Sequence, residues 1–407
     1  RPFPSLSAPC HAVFLAIKRS EGAANRDRNL DRAHLIAMLD RFGSQHPAAE
    51  ATHFFGNLGR HRIKWECHTE FVTYTLFGDG LAPIAFDGSS FGVFPEDWLA
   101  ESPGGRLTSA LVRSEAENSD EAILGKLNDW FDSDGLAVAR VLDDAAVVAS
   151  DFRIDAEGHN RIAIFADPRT GPRRVGHIVQ RLLEIETYKT VAMLGLPMAR
   201  EVSARLAELD EELAMLVSSM RRPSDRPEAT LDDLLAMSGR IEHLLARHSF
   251  RFGATGAYEA IVLQRIEVLR EAHFGEATTL GEFMMRRFDP AMRTVRATEG
   301  RVESMAERAR RAGSLLQTRV EVGRSAENQA LLASMDRRAD LQLRLQRTVE
   351  GLSVVAISYY AVNLVSNLAR PLGPQLGLTD AALLAVLTPP VVGLVWFLVR
   401  RIRKGIT

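Results

Sequence analysis

Two long uncharged segments near the C-terminus constrain this chain more than anything else in it. Residues 351–369 run GLSVVAISYYAVNLVSNLA and residues 381–399 run AALLAVLTPPVVGLVWFLV, nineteen residues each without a charged side chain. A helix rises about 1.5 Å per residue, so about 20 such residues cross a hydrocarbon layer of about 30 Å. The lengths predict two transmembrane helices. Arg344 and Arg347 precede the first, Arg400, Arg401, Arg403 and Lys404 follow the second, and the connection 370–380 carries one Arg and one Asp. Basic flanks mark the cytoplasmic side, so both termini are expected in the cytoplasm of a bacterial inner (plasma) membrane, with the short loop outside. Trp396 falls where an interfacial aromatic is common, and Pro389-Pro390 predicts a kink in the second span.

The remainder has the composition of a soluble protein. A chain of 407 residues exceeds one ordinary core, and a net charge of -2 with no basic patch gives no reason to expect nucleic-acid binding. Cys10 and Cys67 are the only cysteines, which is no disulfide scaffold. Arg1 opens the sequence, with no basic head and apolar run behind it. Residues 11–17, 63–66, 71–77, 107–112, 138–142, 146–152 and 161–165 have strand character. In the third of these, Val72, Tyr74 and Leu76 share one face and Thr73 and Thr75 the other. Residues 29–42 and 120–131 have helix character, the latter capped by Ser119. The fold class expected is a mixed α/β (α+β) cytoplasmic domain over 1–170, followed by helices.

From 175 to 220 the pattern is helical throughout. Val202, Leu206, Leu209, Leu213 and Leu216 keep the alternating steps of four and three that coiled coils use. Pro223 and Pro227 predict a break over 221–228. A further helix is expected over 231–248, with Thr230 and Asp233 as a capping box, an interruption at 253–256, and helix again to 288. Helical arms thus occupy 171–288. A long stalk over 289–350, about 90 Å from 290 to 348 if Gly323 does not break it, enters the first span over 351–369. The loop 370–380, the second span 381–399 and a basic tail 400–407 complete the chain.

Chemistry-bearing motifs are sparse. The sequence has no GxxxxGK loop and no HExxH, so neither an enzymatic activity nor a cofactor is expected. His61, Cys67 and His68 offer zinc-ligand side chains without a fourth, and alternation puts Cys67 and His68 on opposite faces; ordinary strand residues are the plainer reading. Gly171-Pro172-Arg173-Arg174 marks a turn and helix start before it marks an anion site. The first span is more informative. Ser353, Ala356, Tyr360, Asn363, Asn367 and Arg370 follow steps of 3, 4, 3, 4 and 3, a stripe that Val349, Gln346, Gln342 and Ala339 continue toward the cytoplasm. Asn inside a bilayer is costly without a partner or water, so the stripe faces another helix or an aqueous path. The second span, with Thr388 as its only hydroxyl, is expected outside the first, toward lipid.

The opening Arg1-Pro2-Phe3-Pro4 and the run from Val349 through Glu350-Gly351-Leu352-Ser353 to Tyr359-Tyr360 resemble a bacterial family of membrane-anchored proteins of unknown function. The layout is similar, more distantly, to the CorA-like magnesium transporter superfamily: an N-terminal α/β domain, a stalk helix running into the first span, a short outer loop and a basic end. That resemblance implies a pentamer whose first span lines an ion path. The superfamily's Tyr-Gly-Met-Asn signature is matched by Tyr360-Ala361-Val362-Asn363 at Tyr360 and Asn363 alone, and Asn363 lies thirteen residues after Glu350, inside the span. Arg370 would repel a divalent cation at the outer end. Two readings stand: a homo-oligomeric channel or transporter with an ion as substrate and membrane lipid as surroundings, or a membrane-anchored scaffold or sensor.

Overall fold

A computed structural model describes residues 3–19, 27–132, 134–220, 227–370 and 379–404. Strands and helices alternate through β1 (Cys10–Lys18), α1 (Arg28–Arg41), β2 (His53–Leu58), β3 (His61–Cys67), β4 (Phe71–Asp79), α2 (Glu96–Ala100), β5 (Gly105–Ala116), α3 (Asp120–Trp130), β6 (Ala137–Val141), β7 (Ala146–Ser150) and β8 (Asn160–Ala166). Then come α4 (Pro172–Met193), α5 (Gly195–Ser219), α6 (Pro227–Leu269), a short β9 (Ala272–His273), α7 (Leu280–Arg287), α8 (Asp289–Ala369) and α9 (Asp380–Lys404). The chain divides into two compact units, Arg1–Gly313 and Ser314–Thr407.

The first unit is built on one nine-stranded mixed sheet in the order β2-β3-β4-β1-β5-β8-β7-β6-β9. Its only parallel pair among the described residues is β5 with β8. Alternation along β1 explains why both faces are covered. Val13, Leu15 and Ile17 pack with Leu35, Met38 and Leu39 of α1 and Trp98 of α2, while Ala12, Phe14 and Ala16 join Val175, Ile178, Val179 and Leu182 of α4. Val72, Tyr74 and Leu76 of β4 lie on the α1 side, as their spacing predicts. Ser119 caps α3, its Oγ accepting from the Ala122 amide at 3.3 Å. The opening residues are seated on α4. Phe3 lies 4.2 Å from the His177 ring, and a Cβ on Gly176 would meet the Pro4 carbonyl oxygen at 1.8 Å, so only glycine lets that segment lie there.

Beyond the sheet, α5, α6 and the first turns of α8 pack through seams of 3–4 spacing. Val202, Leu206, Leu209 and Leu213 are buried on α5, and Leu234, Met237, Ile241, Leu244, Phe252 and Val262 on α6. On α8 the buried series runs Val295, Thr298, Val302, Met305, Ala309, Ala312. Arg308 pairs with Asp210 of α5 at 2.7 Å, and Arg310 approaches Glu242 of α6 at 3.7 Å.

Four expectations are corrected. The helical stretch from 175 divides at Leu194, where α4 ends and α5 begins. Helix α6 starts at Pro227, so Thr230 lies inside it and is no cap. Gly253 and Gly256 do not interrupt α6, because they sit on an open face and the buried seam beneath outweighs about 1 kcal/mol of helix propensity per glycine. The helix ends at Leu269 rather than 288; the chain then adds β9 to the sheet edge and restarts at α7 with a capping box of Thr279 and Glu282. Gly323 leaves α8 unbroken over 81 residues, about 120 Å. Most of the expected break at 221–228 and of the loop at 370–380 lies outside the described residues, as do Arg1 and Pro2 and the last three residues of the tail.

Candidate functional site

Two places gather polar side chains within otherwise apolar surroundings. The first is on α8 within the second unit. Two helices of the chain, α8 and α9, contain segments long and apolar enough to cross a membrane. Over 351–369, Ser358 is buried and Val354, Val362 and Val365 are half-buried, whereas Ser353, Ala356, Tyr360, Asn363, Asn367 and Arg370 are all exposed, Tyr360 at 73%. The withdrawn side of α9 is Leu383, Leu387, Val391 and Val395. The six-residue stripe is therefore kept together on one face, opposite the covered one. Arg370 at its end lies 3.6 Å from Asp380, an exposed pair of little energetic weight. Pro389 and Pro390 lie inside α9, which continues through them.

The second place is between the sheet and α4. Lys64, Thr73 and Thr75 line, with Gln180, Glu184 and Thr187, a partly open space of about 30 Å³, room for water. Lys64 Nζ donates to Gln180 Oε1 at 2.7 Å and lies 3.1 Å from Glu66. Glu184 accepts from Gln180 at 2.8 Å and from Arg181 at 2.6 Å. Beside it, an open cleft of about 390 Å³ is walled by His68, Phe71, Tyr188 and Tyr258, with Arg28 and Thr52 at its edge. Tyr188 and Tyr258 stack at 5.6 Å. Behind the cleft, Glu70 is fully buried and answered by Arg251, by the Tyr258 hydroxyl at 3.0 Å and by Lys18 at 3.9 Å. Burial and the Glu70 carboxylate push the Tyr258 hydroxyl pKa up, so it stays a donor. A second buried carboxylate, Glu186, accepts from Thr108 at 3.0 Å, Asn160 at 2.9 Å and Lys189 at 2.6 Å.

The zinc-ligand types do not come together. His61 and Cys67 stand at opposite ends of β3, about 20 Å apart. Cys67 is in the core near Asp31, and His68 stacks on Phe71. His61 instead faces His11, ring centres 6.0 Å apart, over an open groove of about 1140 Å³. Among the described residues no group of three or more His, Cys, Asp or Glu could hold a metal ion. Pro172 opens α4 at its first turn and its carbonyl accepts from the Leu6 amide at 2.9 Å, so this turn serves the fold. Ser109 Oγ lies 2.9 Å from His159 Nδ1, both side chains are buried, and the Phe91 ring lies 4.3 Å from the imidazole.

With this geometry in view, comparison with protein families decides the kinship. A family of proteins of unknown function, DUF3422, has a model that matches residues 1–406. The chain belongs to DUF3422. No curated protein matches it. The match runs through the sheet unit, the stalk and both apolar segments. Sequence reasoning missed the Glu70 cluster, since Arg251 and Tyr258 lie 181 and 188 residues away.

Proposed function

We propose that this DUF3422 protein is a homo-oligomeric integral membrane protein of CorA-like architecture that conducts or transports ions. The last turns of α8 line the path, and α9 lies outside it. One observation carries the reading: on a helix apolar enough to span a membrane, the polar face is the uncovered one. Exposed to lipid, Asn363 and Asn367 would each forfeit hydrogen bonds at a cost of several kcal/mol in hydrocarbon. Copies of the same helix around a wet axis remove that cost. Ser353, Tyr360, Asn363 and Asn367 then contact the hydrated ion, with both termini cytoplasmic by the basic flanks. A pentamer follows from the architectural likeness.

Native mass spectrometry of the nanodisc-held chain tests the assembly, and liposome flux assays with magnesium, zinc and monovalent ions test conduction. Asn363→Leu is expected to abolish flux and leave the oligomer intact. A monomer or dimer stable across mild detergents would return the chain to an anchored scaffold, and unchanged flux in the variant would remove Asn363 from the path.

A further inference from the structure

The stripe does not stop at the membrane. Followed upstream it runs Leu332, Met335, Ala339, Gln342, Gln346, Val349, Ser353, Ala356, Tyr360, Asn363, Asn367, steps of 3 and 4 without a fault. Every one of these side chains is exposed, Leu332, Met335 and Val349 at 62%, 63% and 56%. All thirty residues from 321 to 350 are exposed on every side of the helix. The same helix shows what such spacing does where neighbours are present: Val295, Thr298, Val302, Met305 and Ala309 keep it and are buried.

We infer that α8 pairs with α8 of further copies of this chain, in parallel and in register, from Leu332 to Asn367, so that stalk and membrane path are one continuous seam. The inference rests on the homo-oligomer proposed above and extends it outside the bilayer. A sustained 3.5-residue period calls for partners of the same period, wound with left-handed supercoil. Copies inserted with the same orientation run parallel, which leaves only the register open. Chemistry closes it. The seam carries no charge from Leu332 to Asn367, so identical residues meet without repulsion. Its polar members, Gln342, Gln346, Ser353, Tyr360, Asn363 and Asn367, each hold donor and acceptor in one group, which lets a side chain bond its own kind on the neighbour. A shift by one heptad would set Gln342 against Met335 or Val349 and leave its amide unanswered.

Cysteine cross-linking of the full chain in nanodiscs tests this, since Cys10 and Cys67 are buried and silent. Under a mild oxidant, Ala339→Cys and Val349→Cys should each give covalent dimers on a non-reducing gel. Arg344→Cys, on the opposite face, should give several-fold less. Seam cysteines that stay monomeric in a preparation shown oligomeric by native mass spectrometry would overturn the seam. So would equal cross-linking at 344. Strong seam cross-linking in a preparation without ion flux supports the seam and removes conduction alone.

Discussion

The sheet unit and the apolar segment of α8 treat polar side chains in opposite ways. Around Glu70 every partner comes from the same chain: Arg251 and Tyr258 from α6 and Lys18 from β1. Glu186 is likewise surrounded by Thr108, Asn160, Lys189 and Thr190. On α8 the carboxamides of Asn363 and Asn367 are exposed, while the face opposite them is the covered one. A single chain completes the first arrangement. In the proposed assembly, other chains complete the second.

Breaking the first arrangement should have the largest effect. Glu70→Ala strands the Arg251 guanidinium at a site where its side chain is 11% exposed, and is expected to cost about 3–5 kcal/mol in denaturant unfolding of the sheet unit. Acid should act next. Burial holds His34, His159 and His61 below the usual imidazole range, His34 further fixed between Tyr74 and the Trp98 carbonyl. These groups stay neutral in the folded chain while the unfolded chain takes up protons below about pH 6.5, so stability is intact above that pH and falls as pH drops through the lowered folded values. Thermal unfolding followed from pH 7.5 to 5 should show the decline, and His34→Gln should flatten it. Removing the α3 cap with Ser119→Ala should cost about 1 kcal/mol. The smallest effect sharpens the contrast: Asn363→Leu with Asn367→Leu should move the sheet unit's unfolding by less than about 0.5 kcal/mol, since neither lies within that unit. A larger shift would mean that the stripe serves the monomer after all.

Much of this was legible where a pattern repeats at short range. The nineteen-residue apolar runs, the alternation in β4 and the 3–4 spacing of Ser353 to Asn367 are all written within a few turns of chain. What was not legible depends on distant partners. Strand β2 (HFFGNL) contains a glycine and is paired only along β3, so it shows little strand character alone. The glycines of α6 look like a break until the seam of Leu244, Phe252 and Val262 beneath them is known. The Glu70 cluster closes across about 180 residues of sequence. Cys10 illustrates the same point, its thiol pushed up to about 11 by burial in a strand whose neighbours are contributed by β4 and β5.

Strand β9 has a consequence for the order of events during synthesis. The sheet that begins at Cys10 is completed only when His273 pairs with Ala139, and its core waits for Phe283, Phe288 and Met292. Gly351 follows His273 by 351 − 273 = 78 residues. At roughly 5–20 residues per second that interval is about 4–16 s. The ribosome therefore delivers the last pieces of the sheet before the first apolar segment of α8 is made, and a folded sheet unit can precede the arrival of both apolar segments.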